Sequence, residues 1–211
     1  MEKQNVIPQK LWSVKLQSFR KKASYSITRF TAQLLAKTSV TPNAISWFGF
    51  VLTLGAAALI ITENLFAAGF AVLVAGFFDM LDGALARSTG QVTKFGAILD
   101  STLDRFSEAV LLLALLPVYT RQESTLGILA VGLALIGSYL VSYIRARAEG
   151  MGIECEVGIF TRPERVVALV LGLFLSRIDY VFLTIALGII IVFSFVSAGQ
   201  RLFHSWRETK K

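Results

Sequence analysis

The sequence has 211 residues, of which 55% are hydrophobic and 17% are charged, and its mean hydropathy is +0.64. Soluble globular domains carry about a quarter charged residues, so this composition excludes an ordinary soluble protein. A single cysteine excludes an internal disulfide, and a single histidine excludes a site built from several imidazoles. In a chain this apolar, the net charge of +7 indicates contact with anionic membrane lipids rather than with nucleic acid.

The N-terminal arm, residues 1–40, holds eight of the 21 Lys and Arg residues against one acidic residue. Apolar residues recur at steps of three and four over 12–34, whereas Lys15, Lys22 and Arg29 fall at steps of seven on another face. This pattern predicts an amphipathic helix that is too polar to cross a bilayer. The helix either lies in the membrane interface or packs on the protein's own membrane domain.

Six apolar segments follow the arm, each close to the ~20 residues that a helix needs to cross a bilayer core. Thr41 and Pro42 predict the start of the first segment, as N-cap and first helical residue. The sequence therefore predicts an all-α membrane protein in which six transmembrane helices, within 41–203, are preceded by the interfacial helix and followed by a basic tail, 204–211. The approximate limits of the segments are 43–62, 66–87, 95–118, 125–147, 163–177 and 180–202.

The distribution of basic residues predicts the orientation of these segments. Arg121 and Arg177 are the only bases in the connections on one side, while the other 19 lie in the arm, near 87–105, in 145–165 and at the C-terminus. The positive-inside rule then places both termini and the two basic loops in the cytoplasm. We expect a multi-pass protein of the cell membrane.

Four of the five aspartates lie within 26 residues, at the cytoplasmic ends of the second and third segments: Asp79, Asp82, Asp100 and Asp104. Each pair is spaced by three or four residues and so shares a helix face, and a turn near 88–90 would bring both pairs into one cleft. Ionised carboxylates near a low-dielectric region need a balancing cation. Oxygen ligands without His or Cys select a hard cation such as Mg²⁺, Mn²⁺ or Ca²⁺.

The run from Asp79 to Asp104 fits the pattern D-x2-D-G-x2-A-R-x8-G-x3-D-x3-D at every fixed position. It resembles the signature of the CDP-alcohol phosphatidyltransferase family. The resemblance implies an enzyme that transfers a phosphatidyl or archaetidyl group from a CDP-linked lipid to the hydroxyl of an alcohol and releases CMP. It also implies a homodimer, and Mg²⁺ or alternatively Mn²⁺ bound by the four aspartates, with Asp104 as the proposed general base.

The same resemblance implies where the lipid substrate, CDP-diacylglycerol or CDP-archaeol, is bound. Arg87 lies one turn beyond Gly83 on the same helix face, where its guanidinium could bind phosphate. For Asn43, a simple role at the start of the first helix remains an alternative. The residues implied in CDP-lipid binding are Asn43, Asp79, Asp82, Gly83, Ala86, Arg87 and Thr93.

Arginines at both ends of the loop 145–165 suit a phosphorylated acceptor, or alternatively serve membrane topology and headgroup contact. The runs SYIRARAE, at 142–149, and RPER, at 162–165, resemble phosphatidylinositol-phosphate and archaetidylinositol-phosphate synthases. This resemblance implies inositol 1-phosphate as the acceptor, although Glu108 stands where it leads us to expect Asp. The residues implied in binding the acceptor phosphate are Lys94, Arg145, Arg147, Arg162 and Arg165.

Three other functions fit part of the pattern. A phosphatidylglycerophosphate synthase would use glycerol 3-phosphate as the acceptor. A divalent-cation transporter would also carry acids in membrane helices, but its acids should lie near the bilayer midplane on several helices. In a structural lipid-binding protein, replacement of Asp104 by Asn would leave the function unchanged. The clustering of the acids at one cytoplasmic mouth, beside Arg87, favours the enzyme.

Overall fold

The computed structural model describes residues 40–210, and these residues form seven helices and no strand. The predicted interfacial helix falls within 1–39 and lies outside the described residues. The architecture of the described residues is therefore determined by which helices pack together. The helices are α1 (Pro42–Ile61), α2 (Leu65–Thr89), α3 (Lys94–Leu113), α4 (Leu115–Arg121), α5 (Thr125–Gly150), α6 (Arg162–Leu175) and α7 (Val181–Glu208).

Four of the described helices, α1, α2, α5 and α7, are long and apolar enough to cross a membrane. Helix α3 carries five charged residues. Helix α6 has 14 residues, about 21 Å at 1.5 Å per residue, which is shorter than a hydrocarbon core of about 30 Å. The all-helical class is confirmed, and the count of six spans stays a prediction.

The third predicted segment, 95–118, is divided into α3 and α4 at Ala114. Pro117 explains the break, because proline has no backbone N–H to donate to the carbonyl four residues earlier, and its ring clashes with that carbonyl. That carbonyl belongs to Leu113, the last residue of α3. The chain therefore interrupts the helix there and continues in α4.

Local side-chain and backbone preferences fix the ends of the first three helices. The Thr41 hydroxyl accepts a hydrogen bond from the Ala44 N–H at 3.3 Å, with Pro42 as the first helical residue, as predicted. Gly90 ends α2 with φ +68°, a left-handed conformation that suits glycine. Thr93 then caps α3 by accepting from the Gly96 N–H at 2.9 Å. The turn 90–93 consequently reverses the chain where the sequence predicts a reversal.

Helix α1 packs along α2 and α3, α2 contacts α6, and α7 packs against both α5 and α6. The main apolar core includes Ile60, Leu65, Leu115, Leu173 and Leu183, all close to the turns at one end of the bundle. The opposite end gathers the C-termini of α2, α5 and α7 with the N-termini of α1, α3 and α6. That end is where polar side chains can meet, and it is called the polar end below.

Gly127 is expected to be essential for packing at the start of α5, because a Cβ there would overlap the ring of Tyr119, a side chain that is 1% exposed. Gly127→Ala should lower the free energy of unfolding by about 1–3 kcal/mol through overpacking. The control is Gly132→Ala on the same helix, where no atom lies within 4 Å of the added carbon. Thermal unfolding in detergent can be followed with a maleimide dye, since Cys155, the single cysteine, is buried. Equal melting temperatures for the two variants would contradict this packing.

Candidate active site

Three carboxylates meet at the polar end of the bundle. Asp79 on α2 and Asp100 and Asp104 on α3 each offer an oxygen, and these oxygens lie within 4.8 Å of one another. The four-residue spacing places Asp100 and Asp104 on one face of α3, and the turn 90–93 directs that face toward α2. The sequence predicts that both pairs of aspartates meet in one cleft, and the structure brings together three of the four. These three are called the carboxylate cluster below.

Asp82 lies outside this cluster and is almost fully buried, with 4% of its surface exposed. Its carboxylate accepts a hydrogen bond from the Ser46 hydroxyl at 2.5 Å, across the α1–α2 contact, and another from the Gly83 N–H. Ser46 was not among the predicted site residues, and its position four residues beyond Pro42 gave no chemical signal. A metal-binding role for Asp82 stays a prediction, since its oxygens are committed to these partners in this conformation.

The guanidinium of Arg162, the first residue of α6, contacts the carboxylate cluster. Its Nη1 lies 2.7 Å from Asp79 Oδ2 and also forms an ion pair with Asp104. Three ionised carboxylates and one guanidinium leave a formal charge of about −2 within a partly buried site. Oxygen donors with that charge fit a hard divalent cation, for which Asp79, Asp100 and Asp104 supply a suitable ligand set.

A cavity of about 260 Å³, called the Arg87 cavity, opens beside Asp100 between the start of α1, the end of α2 and the start of α3. Six of the seven residues predicted to bind the CDP-lipid line it: Asn43, Asp82, Gly83, Ala86, Arg87 and Thr93. The seventh, Asp79, belongs to the carboxylate cluster. The Arg87 guanidinium folds back over Gly83, as the one-turn spacing predicts. The predicted residues are thus contiguous in space.

A second cavity of about 290 Å³ leads from the carboxylate cluster into the apolar interior of the bundle. Asp79, Asp100 and Arg162 line its polar mouth, and apolar side chains such as Phe50 and Leu103 line the rest. Few charged groups lie along it beyond that mouth. This apolar cavity can therefore accept hydrocarbon next to the charged cluster.

A third cavity of about 220 Å³, called the Arg201 cavity, lies on the other side of Asp104. Five arginines line it, and three of them, Arg145, Arg162 and Arg165, were predicted to bind an acceptor phosphate. Lys94 and Arg147, which were predicted with them, are exposed and lie outside its lining. The two arginines that the sequence analysis did not assign to this cavity are Arg105 and Arg201.

Arg201 is 3% exposed and is held by backbone carbonyls rather than by an acid. Its Nε donates to the Val157 oxygen at 2.8 Å, and its Nη1 donates to the Val141 oxygen at 2.5 Å. The only sequence signal was an arginine at the end of an apolar segment, which topology alone also explains. The side chain joins α7, the α5–α6 loop and the cavity.

The α5–α6 loop lies along one face of α7 and so presents the start of α6 to the site. Ser197 accepts from the Phe160 N–H at 3.0 Å, and Gln200 accepts from the Ile159 N–H at 3.2 Å. Thr161 and Glu164 then form a capping box. These contacts fix the backbone of α6 where Arg162 begins it.

Arg165 and Glu108 form a buried ion pair at the base of the Arg201 cavity. Arg165 Nε lies 2.5 Å from Glu108 Oε1, and Nη2 lies 2.8 Å from Oε2. Both side chains line the cavity, and Arg165 Nη1 is buried there with no hydrogen-bond partner. Glu108 thus neutralises Arg165 while leaving the two N–H groups of Nη1 free to donate.

The chain is similar to known proteins in sequence and in fold. The family model described as CDP-alcohol phosphatidyltransferase matches residues 39–202. The archaetidylinositol phosphate synthase of Pyrococcus horikoshii is 36% identical over 193 residues, which cover 90% of this chain and 96% of the relative. The phosphatidylinositol phosphate synthase of Mycobacterium marinum is 34% identical over 195 residues, covering 89% and 83% of the two chains.

Solved structures of the Mycobacterium tuberculosis phosphatidylinositol phosphate synthase have the same fold. The structure with CDP-DAG bound gives a TM-score of 0.78 at 33% identity and covers 85% of this chain and 94% of its own. The complex with manganese and citrate gives a TM-score of 0.77 at 33% identity, over 85% and 88% of the two chains. A divalent metal and a CDP-linked lipid are therefore ligands of a structural relative.

Removal of one partner of the buried Glu108–Arg165 pair should destabilise the fold strongly. Glu108→Gln leaves the buried guanidinium of Arg165 without a countercharge, and we expect the free energy of unfolding to fall by about 3–5 kcal/mol. The control is Glu149→Gln, because Glu149 pairs with Arg145 at 2.7 Å on the surface, where such a pair contributes about 1 kcal/mol or less. Reversible unfolding in mixed detergent micelles measures both. Similar losses in the two variants would contradict a buried pair.

Proposed function

Because this chain belongs to the CDP-alcohol phosphatidyltransferase family, we propose that it transfers a phosphatidyl or archaetidyl group from a CDP-linked lipid to inositol 1-phosphate, with release of CMP. The observation that carries the proposal is the meeting of three cavities at one carboxylate cluster. Asp100 lines both the Arg87 cavity and the apolar cavity, and Asp104 lines the Arg201 cavity. Two substrates bound in these cavities would meet at the carboxylates.

The lipid substrate suits the first two cavities. The cytidine diphosphate would occupy the Arg87 cavity, where Arg87 donates to phosphate oxygens, and a hydrocarbon chain would enter the apolar cavity. The two cavities share Ser46 and Asp100, so a single molecule can occupy both. The CDP-DAG bound to the M. tuberculosis structural relative supports this assignment.

The acceptor suits the Arg201 cavity. Its arginines provide the charge that a phosphate monoester needs, and two of them, Arg105 and Arg201, have no ion pair to a carboxylate among the described residues within 4.0 Å. The names of the Pyrococcus and mycobacterial relatives, which are inositol phosphate lipid synthases, support inositol 1-phosphate. Lys94 and Arg147 are exposed near this end and remain candidates for outer contacts.

Asp79, Asp100 and Asp104 would hold a divalent cation, Mg²⁺ or Mn²⁺, with Asp82 as a possible fourth ligand. When bound, such a cation would stabilise negative charge on the diphosphate as CMP leaves. Asp104 would accept the proton of the acceptor hydroxyl, whose oxygen attacks the lipid-linked phosphorus while the bond from that phosphorus to CMP breaks. Asp104 is suited to this role because it lines the acceptor side of the cluster.

We also propose that α3 with α4 and α6 complete a set of six spans, that the polar end faces the cytoplasm, and that the protein is a homodimer. Among the described residues, Arg121 and Arg177 are the only bases at the opposite end, which fits the positive-inside rule. A cytoplasmic site would let a soluble acceptor enter and CMP leave. The homodimer rests on the family resemblance alone.

Purified protein supplied with CDP-diacylglycerol and one acceptor at a time should release CMP only when a divalent cation is present. We expect kcat/KM for inositol 1-phosphate to exceed those for serine and free inositol by about tenfold or more, because these acceptors lack a phosphate and leave the arginines of the cavity unpaired. We expect it also to exceed that for glycerol 3-phosphate, in keeping with the names of the Pyrococcus and mycobacterial relatives. A preference for glycerol 3-phosphate would overturn the assignment of inositol 1-phosphate as the acceptor. Failure to release CMP with every lipid and acceptor pair would refute the proposed enzymatic activity.

The matched control for this assay is Asp104→Asn, which preserves the size of the side chain and removes its basicity. Turnover should fall about 100-fold or more with loss of a general base, while Mn²⁺ binding through Asp79 and Asp100 is partly retained. Unchanged turnover would refute the role of Asp104 as the general base.

A further inference from the structure

Arg162 occupies a position shared by two parts of the site. Its Nη1 contacts Asp79 and Asp104 of the carboxylate cluster, and its side chain lines both the apolar cavity and the Arg201 cavity. Its Nε is buried without a hydrogen-bond partner, so its hydrogen-bonding capacity is only partly used in this position. Building on the proposed function, we propose that Arg162 alternates between the carboxylate cluster and the acceptor phosphate, and thereby couples metal binding to acceptor binding.

The first step is competition for the same carboxylates. Asp79 and Asp104 form two of the three members of the only group of acidic, histidine or cysteine ligands in the described chain that could hold a metal ion, and both are ion-paired to Arg162. A guanidinium and a divalent cation repel each other strongly at such short range when they are partly buried. Occupation of the cluster by a cation therefore weakens the hold of Asp79 and Asp104 on Arg162.

The second step concerns where the released guanidinium goes. The backbone of Arg162 is fixed, since the Thr161–Glu164 capping box lies on either side of it and Arg165 is anchored to Glu108 one turn later. The side chain itself is only partly exposed, at 23%. A change of side-chain rotamer toward the Arg201 cavity, which Arg162 already lines, requires no movement of α6.

The other arginines of the Arg201 cavity have different partners, which makes Arg162 distinctive. Arg165 is held by Glu108 and Arg145 by Glu149. Arg201 donates to two backbone carbonyls, and Arg105 donates to the Ser101 carbonyl oxygen on its own helix. In the salt bridges of the described residues, Arg162 is the cation that contacts the carboxylate cluster. Movement of the Arg162 side chain would therefore shift one positive charge from the carboxylate cluster to the acceptor cavity.

A thermodynamic consequence follows from this exchange. If metal binding frees Arg162 for the acceptor, the metal raises the affinity for the acceptor, and the acceptor raises the affinity for the metal by the same factor. An acceptor that bound first would draw Arg162 away from Asp79 and Asp104 and leave these two carboxylates without a countercharge. The favoured order of binding is thus metal before acceptor.

The test uses binding measurements rather than turnover. Electron paramagnetic resonance of free Mn²⁺ gives the metal affinity, and calorimetry gives the affinity for inositol 1-phosphate with and without Mn²⁺. Wild type should bind inositol 1-phosphate about fivefold or more tightly when Mn²⁺ is present, a typical allosteric factor. Arg162→Gln should bind Mn²⁺ about fivefold or more tightly than wild type, since a competing cation is lost, and should show little Mn²⁺ effect on its weakened acceptor binding.

Two control variants separate competition from general electrostatics. Arg162→Lys retains the positive charge and should keep a Mn²⁺ affinity near that of wild type. Arg145→Gln removes a guanidinium of the same cavity that contacts Glu149 instead of the cluster, so it should weaken inositol 1-phosphate binding while leaving the Mn²⁺ effect intact.

Several outcomes would overturn the coupling. Arg162→Gln with unchanged or weaker Mn²⁺ affinity would show that Arg162 does not compete with the metal, and a preserved Mn²⁺ effect in that variant would show that the metal contacts the acceptor directly. Should Arg162→Gln fail to fold, absence of a Mn²⁺ effect in wild type is itself sufficient to reject the proposal. In either case CMP release by wild type would leave the proposed function standing, whereas its absence would refute that function independently.

Discussion

Mutual repulsion among Asp79, Asp100 and Asp104 is the constraint on which the polar end of this bundle depends. Their oxygens lie within 4.8 Å of one another, in surroundings where water cannot fully screen the charges. All three carboxylates remain ionised together only if cations balance them. The guanidinium of Arg162 provides part of that balance, and the remaining negative charge suits a divalent cation.

The rest of the fold keeps the cluster in place. The turn 90–93 brings α2 and α3 together, and the face of α7 that includes Ser197, Gln200 and Arg201 holds the loop that positions α6. The main apolar core lies toward the opposite end, while a smaller apolar cluster of Ile45, Leu81 and Leu85 packs between α1 and α2 at the polar end. Most of the apolar packing therefore stabilises the bundle away from the buried charges, which are costly to desolvate.

The sequence predicted the features that depend on spacing within one helix or one turn. The spacing of the carboxylates within each helix, the position of Arg87 over Gly83 and the cap at Thr41 are of this kind, because helical periodicity and cap chemistry are local. The break at Ala114 was not predicted, although Pro117 is a local signal for it.

Contacts between distant helices were not predictable in the same way. Ser46 and Asp82 are 36 residues apart, Glu108 and Arg165 are 57 apart, and Arg201 and Val141 are 60 apart. Each contact depends on how two helices are rotated about their axes, which no local pattern encodes. For that reason the sequence grouped Lys94 and Arg147 with the acceptor arginines, while the structure places Arg201 in the cavity instead.

The central claim is that the carboxylate cluster is a metal site between two substrate cavities. Anomalous diffraction from crystals of the protein grown with Mn²⁺ tests it most directly. The account predicts Mn²⁺ within bonding distance of oxygens of Asp79, Asp100 and Asp104, with the Arg162 guanidinium displaced toward the Arg201 cavity. Ordered Mn²⁺ bound only at other acids, with Arg162 still paired to Asp79 and Asp104, would contradict it.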